Sequence, residues 1–402
     1  AGFRTDWGKS ADTFTVQGDA YQNGIDQPLG REDKTTEGAN LLGRWGRAFS
    51  KGSDLQVQVY LDHTLRDYPA SYRERRNTFD LDVQHHFKIG GRNEIVWGGG
   101  YRNSSDEAEG LTPVIAFIPD TKDLRLINIF AQDQIALLAD KLDLTLGTKL
   151  EHNDYTGWET EPSARLAWKP GMGQMLWAAV SRATRTPSRV DRELFSPSSP
   201  PYFLAGGPNF RSELVTAYEL GYRAQVQDRF SFSISPYYNA YKYLRTVDLP
   251  PGSAALVVAN HMEGKTYGVE LWGDIKMTDS WHLRPGYAYL REHLELTAPY
   301  ALPSALYTEG NDPRHRLLLT SLLSLGSNVE LDATLRHISA LPNPDVPAYT
   351  TMDMHIGWKP VLGLDIALIG QSLFDREHRE FGPVAAGAAL ERAGLVKVTW
   401  VF

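Results

Sequence analysis

Along most of this chain, apolar and polar residues alternate one by one. Leu55, Val57, Val59 and Leu61 are interleaved with Gln56, Gln58, Tyr60 and Asp62, and Leu142, Leu144 and Leu146 with Asp143, Thr145 and Gly147. The same rhythm runs through Phe79–Gln84, Phe230–Ser235 and Val329–Arg336. Side chains of a strand point alternately to its two faces, so each stretch carries one apolar and one strongly polar face. Helical periodicity is nowhere convincing, and no apolar run approaches the roughly 18 residues that a membrane helix needs. A soluble antiparallel sheet also alternates. It seldom does so about nineteen times, in stretches of about ten residues with no helix between. The pattern predicts an all-β chain, specifically a transmembrane antiparallel β-barrel with lipid against the apolar face and a wet or plugged lumen against the polar one.

The connections add a second regularity. Turn-forming segments at Gly8–Ala11, Lys51–Asp54, Ile89–Asn93, Ala139–Lys141, Lys169–Gly173, Gln227–Asp228, Met277–Ser280, Leu325–Asn328 and Lys359–Gly363 are short. Between them fall longer loops near residues 23–36, 65–77, 103–121, 186–211, 246–262, 297–312 and 376–393, with shorter ones near 154–161 and 339–347. Tight turns at one end and long loops at the other match periplasmic turns and extracellular loops.

Composition agrees. The 402 residues include 19 Tyr, 10 Trp and 15 Phe, as interfacial aromatic girdles require. With no Cys, disulfides and thiolate metal sites are excluded. A net charge of -8 gives no sign of nucleic-acid binding. Mean hydropathy is -0.36, which excludes a helical membrane protein but not a barrel. The terminal strand puts Phe402, Trp400, Val398 and Val396 on one face, with Thr399 and Lys397 on the other.

That ending resembles the last strand of bacterial outer-membrane proteins, in which a final Phe belongs to the signal read by the barrel-assembly machinery; Phe402, Trp400 and Val398 would carry it here. Further stretches resemble the TonB-dependent outer-membrane receptors. They are Pro162–Pro170 followed by Leu176–Ser188, then Tyr218–Arg223, Tyr237–Asn239, Asn260–Gly264 and Tyr267–Glu270, and finally Ser372–Arg376 with Arg379–Phe381. Two positions depart from the family's habit: Ser372 stands where Asn is usual and His378 where Tyr is frequent.

The resemblance implies an outer-membrane importer, energised through TonB, of a scarce nutrient such as a ferric siderophore, with no enzymatic activity and no resident cofactor or metal. It also implies a barrel of about 22 strands with a plugged lumen. On that reading residues 1–402 are barrel, and the plug, the TonB-contacting segment and roughly three strands lie outside them. A passive porin, usually of about 16 or 18 strands, is the alternative.

Two groups are candidates for the ligand. Arg66, Tyr68, Tyr72 and Arg73 belong to a segment rich in Arg and Tyr, suited either to an anionic iron chelate or to lipopolysaccharide phosphates. Arg185, Arg189, Tyr202 and Phe203 belong to the longest loop, which also holds Arg192 and Arg211, and would help to close the extracellular mouth. The adjacent His85 and His86 point to opposite faces of a strand and cannot share one ion.

Overall fold

The computed structural model describes residues 1–27, 32–49, 52–382 and 389–401. Nineteen long strands follow one another: β1 (Gly2–Lys9), β2 (Asp12–Ile25), β3 (Lys34–Phe49), β4 (Ser53–Tyr68), β5 (Tyr72–Ile89), β6 (Asn93–Gly110) and β7 (Thr121–Leu138) come first. Next are β8 (Leu142–Asn153), β9 (Gly157–Trp168), β10 (Gln174–Arg185), β11 (Glu213–Val226), β12 (Phe230–Asp248), β13 (Leu256–Thr278) and β14 (Trp281–Leu296). The last are β15 (His315–Leu325), β16 (Val329–Ile338), β17 (Tyr349–Val361), β18 (Leu364–Gln371) and β19 (Ala393–Trp400). Each pairs antiparallel with its neighbours in sequence, and with the two-residue strand Leu204–Ala205 they form one sheet of 20 strands. Among the described residues no ladder joins β1 to β19, so the wall is not seen closed.

Register explains why so long a sheet is stable in one arrangement. A slip by one residue would move every apolar side chain to the wrong face. Leu144 lies opposite Leu166 on one side and Ile135 on the other, Leu331 opposite Leu323 and Ile356, and Val398 opposite Ile366. The opposite face is polar and internally paired. Lys169 reaches Asp143 at 2.9 Å, His355 lies 3.3 Å from Asp332, and Arg336 donates to Asp353 at 2.7 Å. His86 bridges Asp54 and Glu94 on the polar face, whereas His85 receives the Trp97 indole N–H on the other, as alternation requires. The apolar face leaves Leu146, Leu166, Leu220, Ile129, Leu368, Val398 and Trp400 well exposed. Exposed apolar area on this scale is stable only against something other than water.

Parts of three expected loops are instead strand. Residues 65–77 close in a tight turn between Tyr68 and Tyr72, residues 103–110 continue β6, and β12 and β13 reach Asp248 and Leu256. The reason is visible in the ladder. Arg66 faces Glu74 and Asp67 faces Arg73, so opposite charges stabilise pairing where composition alone looks loop-like. These strands of 16 to 18 residues exceed the roughly 9–11 that cross a bilayer, and their ends project beyond it. Phe402 lies outside the described residues.

Candidate ligand-binding site at the loop end

At the long-loop end, the connections after β6, β8 and β10 pack together with the loop-side ends of β12 and β13 over the polar face. The core of this assembly is the segment after β10. Pro187 ends the strand, and Ser188 starts a single helical turn, α1 (Arg189–Arg192). Asp191 at the third helical position accepts hydrogen bonds from the Ser188 N–H and hydroxyl, both at 2.9 Å, and from Arg185 at 3.1 Å. Arg245 of β12 lies 3.5 Å from its other oxygen. Asp191 is 1% exposed. Burial opposes its charge, but the Ser188 and Arg185 hydrogen bonds outweigh that and hold its carboxyl below the usual range.

Arg189 is equally committed. It is 4% exposed and donates to Glu193 at 2.8 Å, to the Asp120 carbonyl at 3.1 Å and to the Pro119 carbonyl. Asp106 of β6 lies 3.4 Å away, and Lys122 of β7 holds the other Glu193 oxygen at 2.9 Å. The network then runs on along β6 and β5. Arg76 donates to Asp106 at 3.1 Å and to Glu74 at 2.5 Å, and Arg66 to Glu74 at 2.8 Å. The two candidate groups thus belong to one structure, joined also through rings: Arg189 lies over Phe117, Phe117 packs on Tyr72, and Tyr72 on Tyr68. Arg73 is apart, on the apolar side, paired with Asp67 at 2.6 Å.

Backbone contacts complete the assembly. Leu194–Phe195 pairs with Ala116–Phe117, and Leu204–Ala205 runs parallel to Leu256–Val257. Gly207 lies against the Val258 carbonyl so closely that a Cβ there would overlap it. Phe210, 1% exposed, fills the centre, and its carbonyl accepts from Arg192. Arg192 stacks on Tyr155; burial draws its guanidinium below the usual range, while burial and the Glu193 charge raise the Tyr155 phenol.

The outer surface is what remains available. Phe203 is 68% exposed although its main chain is tied to Ser196 and Leu256. Tyr202 is half-buried against Phe195. Arg211, noted in the sequence only as part of a basic loop, is exposed and stacks on Tyr243 with its charge unpaired among the described residues. A cavity of about 430 Å³ also opens on the polar face of β11–β14, lined by acids and rings that include Glu219, Tyr237, Glu270 and Glu292. No sequence signal marked it, because its members come from four strands.

The model of the β-barrel of TonB-dependent-receptor-like proteins matches residues 1–369. No curated protein matches the sequence. Solved structures do share the fold. The siderophore receptor PirA from Acinetobacter baumannii superposes with a TM-score of 0.77 at 14% identity, over 100% of this chain and 70% of that one. The FrpB iron transporter from Neisseria meningitidis gives 0.78 at 14%, over 99% and 70%. The copper transporter OprC gives 0.75 at 13%, over 100% and 71%.

Proposed function

Since the chain belongs to the TonB-dependent receptor β-barrel family, whose members are outer-membrane transporters and not enzymes, we propose that it forms the wall and mouth of an active importer that takes up a ferric siderophore through TonB. The supporting observation is the loop assembly over the polar face. Its buried charges hold α1 and its flanks in one arrangement, so that Tyr202, Phe203 and Arg211 are presented outward on a fixed support. Aromatic rings pack on flat chelates and a free guanidinium pairs with their oxygen anions. Buried Arg189 acts as a support in this reading, and Arg66 and Arg185 border the mouth. In the same reading a plug and a TonB-contacting segment act together with residues 1–402, and the barrel-assembly machinery reads the terminal strand.

The test is uptake by cells carrying the full-length receptor. Joint replacement of Tyr202, Phe203 and Arg211 by Ala should weaken binding of the cognate chelate at least tenfold by calorimetry, with the barrel still assembled. Titration against ferric siderophores, haem and cobalamin identifies the cargo. Uptake that persists without TonB would overturn the energised reading and favour the passive porin.

A further inference from the structure

The side of the wall that carries exposed apolar residues has its own charged site. Read across β10 to β14, its rows are set by register. One row is Val180, Tyr218, Tyr238, Tyr267 and Arg291. The next, one step nearer the long loops, is Arg182, Thr216, Ala240, Lys265 and His293. Lys242 stands one step above Ala240, opposite Leu214. Three cations therefore surround the two small side chains of Thr216 and Ala240, with the rings of Tyr218 and Tyr238, 6.3 Å apart, beneath them.

Among the described residues the side chains of Arg182, Lys242, Lys265 and Arg291 form no hydrogen bond or ion pair, and the Arg182 Nε is buried and unsatisfied. Elsewhere on this face two arginines are paired: Arg73 with Asp67 and Arg75 with Glu107. The acids nearest the patch, Glu263 and Glu295, face each other one row further from the rings. Directly below lies an apolar groove of about 610 Å³, lined by Leu144, Leu166, Val180 and Leu220 and sharing Tyr218 and Tyr238 with the charged rows.

We propose that this surface binds one phosphate-bearing lipid of the surrounding leaflet. An acyl chain occupies the groove, and the headgroup phosphate sits over Thr216 and Ala240 between Arg182, Lys242 and Lys265. Rings at the boundary of the apolar zone with cations just beyond it fit an amphiphile whose charge is anionic. The proposal rests on the membrane placement of the family and not on the identity of the cargo.

The experiment is native mass spectrometry of the full-length receptor in mild detergent with added diphosphoryl lipid A, compared with inorganic phosphate. Wild type should retain one lipid. The R182Q/K242Q/K265Q variant should retain at least tenfold less. Ala240→Trp, which fills the dip and leaves all charges in place, should lower retention as well. Heat-modifiable gel mobility checks that each variant is folded. Equal retention by folded triple variant and wild type would overturn the proposal, as would inorganic phosphate that displaces the lipid at equal concentration. Chelate uptake is measured separately, so loss of the lipid site and loss of the transport reading remain distinguishable.

Discussion

Arg189 shows how far composition misleads about a single residue. Within a basic loop it reads as a ligand contact, yet its guanidinium is enclosed by Glu193, Asp106 and two carbonyls. Arg189→Ala leaves buried acids uncompensated and should cost roughly 3–5 kcal/mol, seen as rapid proteolysis between residues 186 and 212. Phe203→Ala, at an exposed tip, should change stability by less than about 0.5 kcal/mol. Asp191 makes the assembly sensitive to acid. Its folded pKa is below the ordinary 3.8, so its stabilising contribution is complete above that value and is lost as pH falls through the lower, folded one. Protease resistance of the loop should therefore decline below about pH 4. Asp191→Asn should be cut readily at neutral pH, and a loop of unchanged resistance in that variant would refute the assignment.

At the scale of elements, register is the decisive property. Leu331 and Thr334 are three residues apart on β16 and face opposite ways. Leu331→Arg should destabilise the membrane-embedded protein by about 2–4 kcal/mol, and Thr334→Arg by little; urea unfolding in vesicles measures both. Equal costs would place the register one residue off. The same alternation made β4, β8 and β16 legible from sequence. It did not mark where strands end: Arg66–Glu74 and Asp67–Arg73 look like a charged loop until the chain returns and lays each beside its opposite.

For the whole molecule, the question is whether passage is free or gated. An importer of the resembled kind, assayed as the full-length receptor in planar bilayers, should show little steady conductance, and uptake by cells should stop when the proton gradient is collapsed. Large constant conductance together with gradient-independent uptake would identify a porin. The loop assembly bears on this directly, because it joins the connections that follow β6, β8 and β10 to the loop-side end of β13 over the polar face.

The sequence by itself determined the fold class, the approximate number of strands, their apolar and polar faces and the end at which the long loops gather. Those properties depend on a period of two and on turn chemistry, both local. The family was legible too, through motifs spread along the chain in order. The tertiary structure alone decided which arginines are supports and which are free. That choice depends on partners such as Asp106 for Arg189, Arg245 for Asp191 and Val258 for Gly207, each more than fifty positions away in the chain or brought near only by the sheet's order. It also decided that Arg182, Lys242 and Lys265 meet on one patch, since cross-strand neighbours are set by register across strands and by nothing within any one of them.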